Sequence, residues 1–395
     1  MKILAIHNYH RKGSASGDDQ VFKSETALLE QHGNQVLRYT VSNDAFDHHS
    51  TLGKVADTLG MLWSWKSYKA VREICEKEQP DIVHVHTFFP LLSPSVLYAA
   101  KRSGCKVVAT LHDTRFVCPC ATSLRDTLLC NQCGDGHYFR MCKYGCFKNS
   151  RLQSLIVALI FKYHRIRKSF YQQIDRYICL NDHQIRLLED VGFISRKIVK
   201  KYNFVPDAEA ELKAVTLNGI PNRYVVFYGR IGEEKGIRLL MQIWQKLPEI
   251  PLVVMGGGPL EKEFQSWAEK QNQVFFLGYT EHNKCLSIVK GGEFVVFPSI
   301  WYEGCSMVEI ETESLGKGVV ATDLGFSAEA ITDGFNGYKV PMGDIDGFVA
   351  RIKNLWSDPD LCRRIGEQAR SEYEAKYQPE ENYRQLMQIY ESIEE

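Results

Sequence analysis

The chain has 395 residues, enough for two or three domains of ordinary size. Its 48 Lys and Arg balance its 48 Asp and Glu, so the formal net charge is zero, a poor footing for a protein that tracks DNA or RNA. With 44% hydrophobic and 24% charged residues, the composition excludes a disordered, fibrous or membrane-embedded chain.

The opening MKILAIHNYH holds one Lys and an apolar run that turns polar at His7, too short for the core of a secretory signal. The longest apolar run, 155–161, falls far short of the ~20 residues that cross a bilayer. The expectation is a soluble, cytoplasmic protein. Short β-branched runs then alternate with Gly-containing turns and amphipathic segments. In the first half, 3–6, 35–39, 82–85 and 107–111 are predicted strands, and 21–32 and 96–102 predicted helices. In the second half, strands are predicted at 224–228, 252–255, 274–277, 294–297 and 319–322, with helices at 237–247, 260–270, 283–289 and 306–315. Such alternation means βαβ units and parallel sheets, so the fold class is α/β with two doubly wound, Rossmann-like domains. The expected division is an N-terminal domain at 1–203 with a cysteine-rich insertion at 118–146, a C-terminal domain at 204–379, and a last helix at 380–395 available to pack back on the first domain.

Open parallel sheets bind ligands at the carboxyl ends of their strands. The strand at 224–228 runs into Gly229-Arg230-Ile231-Gly232-Glu233-Glu234-Lys235-Gly236, where two cations beside a helix start suit a diphosphate or are solvated loop charges. The strand at 252–255 empties into Gly256, Gly257 and Gly258, which admit a phosphate or base, or pack tightly. A helical wheel over 306–315 gathers Met307, Val308 and Leu315 on one arc with Glu311 in its middle, and turns Glu309 and Glu313 to an opposite, solvated side. A carboxylate inside an apolar stripe calls for a cation or for ligand hydroxyls. Glu303 and Glu311 are separated by seven residues, about 12 Å if the interval were helical, which disfavours the carboxylate pair of a glycoside hydrolase. In the first half, the strand at 107–111 ends in His112-Asp113, where His112 reads as a ligand contact, a helix cap or interface filler. The Gly/Ser stretch at 12–17 offers amides to a phosphate, provided that Asp18 and Asp19 turn away.

Six of the twelve cysteines lie between 118 and 146. Cys130-x2-Cys133 followed by Cys142-x3-Cys146 has the spacing of a four-thiolate structural zinc site, with Cys118 and Cys120 as substitutes and reduced thiols as the alternative. A thiolate-saturated zinc leaves no open position for catalysis. The stretch 152–170 combines apolar residues with a basic cluster at 162–168 and reads as a membrane-surface helix or as a core helix with a solvated basic end. Trp63, Trp65 and Tyr68 read likewise as core or as acceptor surface.

Together these motifs resemble the family 4 glycosyltransferases of the GT-B fold, over nearly the whole chain. The segments that carry the resemblance are GRIGEEKG, FPSIWYEG, the Glu-x7-Glu element from Glu303 to Glu311 ending in Gly316, Val319–Asp323 with Gly325, DGFNGYKVP, DIVHVHTFF and TLHDTRFVCP. The resemblance implies two domains facing a central cleft, the first binding the acceptor and the second the nucleotide sugar. It implies transfer of a sugar from a UDP- or GDP-sugar to an acceptor hydroxyl, with retention at the anomeric carbon and no cofactor needed for catalysis. Arg230 and Lys235 would hold the diphosphate, and Gly17 and Gly229 would line it. Glu311 would accept the ribose hydroxyls, and Glu303, with Gly304, Cys305, Ser306, Met307 and Val308, would meet the donor sugar; His112 would contact the donor from the other domain. The implied setting is surface polysaccharide or lipopolysaccharide assembly on a glycan or lipid-linked acceptor, with peripheral contact at the inner face of the cytoplasmic membrane and no nucleic acid. The chain departs from the family where Ser16-Gly17 replaces a Gly pair, Cys305-Ser306 replaces Phe-Gly, Thr312-Glu313-Ser314 replaces a small apolar trio and Gly318 replaces Pro. These changes surround the donor-sugar pocket and leave the donor's identity open. A non-catalytic sugar-nucleotide-binding or partner subunit of the same fold is the alternative, opposed by the presence of Arg230, Lys235, Glu303 and Glu311. A zinc-clipped nucleic-acid-binding protein is opposed by the charge balance.

Overall fold

Residues 1–11, 16–45, 60–126, 128–212 and 219–393 are described by the computed structural model, and they divide into two compact units. The first comprises 1–125, 130–202 and 382–395. Its six strands are β1 (Lys2–Tyr9), β2 (Gln35–Ser42), β3 (Ile82–Thr87), β4 (Lys106–Leu111), β5 (Arg176–Cys179) and β6 (Ile198–Lys200), in the order β2-β1-β3-β4-β5-β6. All pairs are parallel. The central strands β1, β3 and β4 are buried nearly end to end, which is why they read as apolar runs. Strand β5 and the edge strand β6, of four and three residues with a basic residue in each, do not stand out in the sequence and were not among the predicted elements.

Helix α1 (Gly17–Gln31) begins where the Ser16 hydroxyl accepts the Asp19 amide at 3.4 Å, and it stops at Gly33, whose φ of 79° breaks the turn. Helices α2 (Trp65–Glu78) and α3 (Ser95–Arg102) follow β2 and β3. The short α4 (Arg140–Tyr144) leads into α5 (Arg151–Ile166), capped by the Ser150 hydroxyl, and α6 (Asp182–Asp190) follows β5. Period-2 alternation splits the core between the two sheet faces. Leu4, Ile6, Val83, Val85, Val107 and Phe161 share one cluster, to which Tyr68 and half-buried Trp63 belong, so those two aromatics are core while Trp65 is exposed.

The second unit comprises 126–129 and 203–381. Its strands are β7 (Val225–Tyr228), β8 (Leu252–Met255), β9 (Val274–Phe276), β10 (Val295–Phe297), β11 (Val319–Thr322) and β12 (Gly337–Val340), again all parallel, in the order β9-β8-β7-β10-β11-β12. The strand β12, inside DGFNGYKVP, was not predicted. Helices α7 (Ile237–Trp244), α8 (Glu261–Ala268), α9 (His282–Gly291), α10 (Met307–Ser314), α11 (Gly325–Ala330), α12 (Ile345–Ser357) and α13 (Pro359–Lys376) cover the sheet. Val225, Phe227 and Val254 face Ile237, Trp244 and Phe348, while Val226, Val253 and Met255 face Leu286, Val289 and Leu315. The last helix, α14 (Pro379–Glu391), places Leu386, Ile389 and Tyr390 in a cluster with Ile3, Ile82 and Val108 of the first unit's sheet and Leu29 of α1.

Candidate active site

In the second unit, the loop after β7 is built on backbone approach. Gly236, at φ 70°, has no room for a side chain: a Cβ there would meet the Pro298 carbonyl oxygen at 1.8 Å. Gly256, at φ 142°, would put a Cβ 1.8 Å from the Gly229 carbonyl oxygen. The three-glycine run therefore locks two strand-end loops together, and tight packing explains its first member.

This lock brings Lys235 to the β10 loop. Its Nζ lies 2.5 Å from Glu303 Oε1, with Phe297 and Trp301 rings at 5.1 and 5.7 Å. The same oxygen accepts Ser299 Oγ at 2.9 Å and Trp301 Nε1 at 2.5 Å. Three donors on one buried carboxylate oxygen fix the Glu303 side chain, and its backbone is fixed as well: a Cβ on Gly325 would meet its amide nitrogen at 2.7 Å, and the Phe326 amide donates to its carbonyl. Arg230 is placed differently. Its side chain is 55% exposed and makes one contact at 3.4 Å with Glu234. Glycines 229 and 304 lie in the flanking loops, and Val308 packs 3.7 Å from where a Gly229 Cβ would sit.

Helix α10 carries the other end of the site. The Ser306 hydroxyl caps it by accepting the Glu309 amide, and buried Cys305 accepts from the Asn203 amide at 3.4 Å. Met307, Val308 and Glu311 lie on its half-buried side. Glu311 has His282 Nε2 at 3.6 Å, and among the described residues no Lys or Arg pairs with it. Burial pushes its carboxyl up to about 8, against a lowering contribution from the Tyr228 hydroxyl.

The solvated side assigned to Glu309 and Glu313 does not exist: both are buried, at 1% and 3% exposure. The wheel assumed one covered face, whereas α10 packs against α13 as well as the sheet, so its back is interior too. Glu309 accepts from Ser327 Oγ at 2.7 Å and Glu313 from Asn336 Nδ2 at 3.4 Å, and the second oxygen of each has no hydrogen-bond partner among the described residues. Burial pushes Glu309 up to about 8 and Glu313 well above the carboxylate range.

In the first unit, a buried polar network lies beneath the carboxyl ends of β3 and β4. His84 and His86 alternate onto the same sheet face, opposite Glu25 of α1. Glu25 Oε2 accepts Lys201 Nζ at 2.9 Å, and Oε1 lies 3.1 Å from His86 Nε2 and 3.3 Å from His84 Nδ1. His86 Nδ1 meets His112 Nε2 at 3.1 Å, and His112 Nδ1 is 4.0 Å from Asp18. Burial acts to raise Glu25, but Lys201 and the histidines outweigh it and hold it well below the usual range; burial holds His84 and His112 low. Glu25, His84 and His86 are the one grouping of three possible metal donors within 4.8 Å among the described residues. It does not suit a cation, because Lys201 already occupies the carboxylate and both His84 nitrogens are engaged, by Tyr390 at 2.7 Å and Thr110 at 2.8 Å. Glu25, His86 and Lys201 were not singled out from sequence. The H-x-H spacing inside a buried strand was the available signal.

Gly17 opens α1, and Asp19 turns inward to His7 and His10 at 2.9 and 3.2 Å, while Asp18 leans toward His112. Residues 12–15 of the expected phosphate loop lie outside the described residues. The zinc set Cys130, Cys133, Cys142 and Cys146 is not gathered: no three cysteine sulfurs among the described residues lie within 4.8 Å of one another. Cys142 instead lines a surface pocket with Lys143, Arg151 and Leu155, while burial, with Cys118, Cys146 and Cys130 nearby, pushes the Cys133 thiol up to about 12.

Two doubly wound units, each built on a parallel six-stranded sheet, are the architecture of the GT-B class. The structure of Anabaena HepE in complex with UDP is similar in fold, with a TM-score of 0.67 at 16% identity, covering 99% of this chain and 100% of that one. Residues 27–209 match the family model described as Glycosyltransferase Family 4, and residues 210–372 the one described as Glycosyl transferases group 1. The chain is 27% identical to the phosphatidyl-myo-inositol mannosyltransferase of Mycolicibacterium smegmatis over 62% of its length and 64% of that protein. It is 20% identical to the O-antigen chain mannosyltransferase C of Escherichia coli over 95% of its length and 94% of that protein. The chain belongs to the family 4 glycosyltransferases of the GT-B fold and is an enzyme that transfers a sugar from a nucleotide-sugar donor. Among the described residues no helix is long and apolar enough to cross a membrane.

Proposed function

We propose that this enzyme transfers a sugar, with retention at the anomeric carbon, from a UDP- or GDP-sugar to a lipid-linked glycan in surface polysaccharide or lipopolysaccharide assembly at the cytoplasmic face of the membrane. The observation that carries the donor half is the Lys235–Glu303 pair, braced by Ser299 and Trp301 beside the β7 loop. In this reading Lys235 and Arg230 stabilise the departing diphosphate as the glycosidic bond breaks, so no divalent metal is needed. Gly229 lines the phosphates, Glu303 and the 304–308 segment hold the sugar, and Glu311 accepts the ribose hydroxyls. His112 contacts a substrate hydroxyl at the strand ends of the first unit.

The acceptor half is supported by α5. Leu152, Leu155, Leu159, Tyr163 and Ile166 recur every three or four residues along one face, and all five are exposed, Leu152 and Ile166 by 69% and 70%. Exposed Lys143, Lys148, Arg151, Arg167 and Lys168 flank them. Hydrocarbon rimmed by cations suits an anionic lipid surface, where a lipid-linked acceptor resides. Two relatives point the same way by name, one to phosphatidyl-myo-inositol and one to O-antigen chains.

The test is a donor panel: thermal shifts with UDP, GDP and their sugars, then transfer to lipid-linked acceptors with the product anomer read by NMR. Stabilisation by one nucleotide family and a product anomer that matches the donor's are expected. No shift with any nucleotide, or an inverted anomer, sinks the reading.

A further inference from the structure

The cysteine-rich insertion contains three turns that backbone hydrogen bonds and packing hold side by side. In the first, the Cys118 amide donates to the Thr114 carbonyl and the Ala121 amide to the Cys118 carbonyl, both at 2.8 Å. Ser123 ties this turn to the second: its hydroxyl meets Thr114 Oγ1 at 2.8 Å, and its carbonyl accepts the Cys130 amide at 2.8 Å. The second turn is Cys130-Asn131-Gln132-Cys133-Gly134, closed by the Gly134 amide on the Asn131 carbonyl at 3.2 Å. A Cβ on Gly134 would stand 3.5 Å from Val117, so the Cys133 end of this turn lies against the residue before Cys118. The third turn ends α4, where Gly145 turns back at φ 62° and the Cys146 amide reaches the Met141 carbonyl at 3.1 Å. Cys133 and Cys146 pack with Val117 and Met141 on one buried cluster. Cys118, Cys146 and Cys130 all act on the Cys133 thiol, and Cys118 and Cys130 on that of Cys146, so these four sulfurs share one neighbourhood, whereas Cys142 lines the surface pocket with Lys143 and Arg151. Cys120 adjoins the four, but its contact with Cys118 and its burial raise its thiol, while the same contact, against burial, lowers Cys118.

We propose that Cys118, Cys130, Cys133 and Cys146 form a four-thiolate site for zinc, with Cys120 beside it as an outer thiol and Cys142 outside it. Four sulfurs select zinc over magnesium or calcium, which take oxygen ligands. Burial and like neighbours oppose ionisation at Cys133 and Cys146, and a bound dication reverses that: each of the four thiols releases its proton to solvent as its sulfur bonds the metal, with no change of oxidation state. Arg140 and Arg125, the cations that favour the Cys133 and Cys146 thiolates, partly balance the doubly negative centre that results. No three of the sulfurs lie within 4.8 Å of one another, whereas a closed tetrahedron holds them about 3.8 Å apart, so binding draws adjacent turns together and fastens the insertion to the core. A saturated centre has no open position, and its part is structural. It also sets where α5 starts, because the Phe147 amide, next to Cys146, donates to Ser154 Oγ of that helix at 3.0 Å.

The test starts from the full-length chain, purified under reducing conditions and supplied with zinc chloride. Elemental analysis is expected to find about one zinc per chain, and exchange for cobalt to give the intense d–d bands of a tetrahedral thiolate centre. The ligand set is read on the wild-type protein by alkylation with iodoacetamide and peptide mass spectrometry, with zinc bound and after its removal by a chelator. Cys118, Cys130, Cys133 and Cys146 should react at least about tenfold more slowly with zinc bound, and Cys142 at the same rate in both states. Cys142→Ser should keep the metal, and Cys118→Ser and Cys133→Ser should lose it; where a variant fails to fold, the wild-type alkylation pattern decides. Protection of Cys142 in place of Cys118 overturns the ligand set. A chain that takes up no zinc, or that holds iron in its place, overturns the site, as do disulfides among these cysteines in the reduced preparation.

Discussion

Helices α5 and α10 both break the rule that hydrocarbon goes inside and charge outside, in opposite directions. Helix α10 buries Glu309 and Glu313 and leaves one oxygen of each without a hydrogen bond, whereas α5 buries Val157, Ile160 and Phe161 on one face and presents five large apolar side chains on the other. The costs differ in kind. An unpaired buried polar group weakens the folded state directly, by about 1–3 kcal/mol. Exposed hydrocarbon costs the isolated fold little, and it becomes favourable once something apolar covers it. The buried carboxyls of α10 adjoin the donor site, whereas the exposed face of α5 is open to a surface outside the chain.

The sharpest way to separate the two regions is to disable the site beside α10. Lys235→Ala is expected to lower kcat by roughly 10²- to 10³-fold, the loss typical of removing a preorganised charge, without unfolding the protein, since Ser299 and Trp301 still hold Glu303. Glu311→Ala is expected to raise donor KM strongly. Arg230→Ala sharpens the contrast within the loop: more exposed and held by one contact, it should lose about tenfold, and an effect as large as that of Lys235→Ala would show that it closes onto the donor. Changing α5 should do the reverse. Leu155→Glu with Leu159→Glu is expected to reduce partition onto vesicles containing anionic lipid at least tenfold, while transfer to a soluble acceptor and Tm stay near wild type. Unaltered vesicle binding would return α5 to a solvent-facing helix.

The central strands of both sheets were legible because two-sided burial leaves short β-branched apolar runs bounded by turn residues. Strands β5 (RYIC), β6 (IVK) and β12 (GYKV) were not, for each is short and an Arg or Lys interrupts its apolar pattern. In the second unit, the position of Lys235 at a strand end was legible from loop chemistry and that of Glu311 inside an apolar stripe from the α10 wheel, but the inequality of Lys235 with Arg230 depends on where the β10 loop lies. The α10 wheel failed at Glu309 and Glu313 because a wheel presumes one interior side, and α13 supplies a second. Lys201 gave no signal at all, since its carboxylate partner lies 176 residues away in sequence. The six clustered cysteines had metal-like spacing, and Cys118, Cys130 and Cys146 do neighbour Cys133, whereas Cys142 lines a surface pocket: spacing along a chain does not fix which sulfurs its turns bring together.

The smallest effect concerns stability and its sign with pH. Glu309 rises from 4.5 to about 8 on folding and Glu313 rises further, both because burial disfavours the charged form. A carboxyl whose folded value is raised contributes fully below its unfolded value, and that contribution is lost as pH climbs toward the folded value, because the unfolded chain sheds the proton first. Wild-type stability should therefore fall between about pH 4.5 and 8 by an amount on the order of a few kcal/mol. Glu309→Leu with Glu313→Met removes both carboxyls from an interior already lined by Ile310, Phe326 and Ala330. The double variant should match wild type near pH 5, exceed it in Tm at pH 8, and show a flatter profile between. Equal slopes for the two proteins would mean that these carboxylates are charged and paired in the folded state. Loss of transfer in the stabilised variant would instead show that α10 keeps its buried carboxyls for the site, at a cost in stability that α5, with its hydrocarbon merely exposed, never incurs.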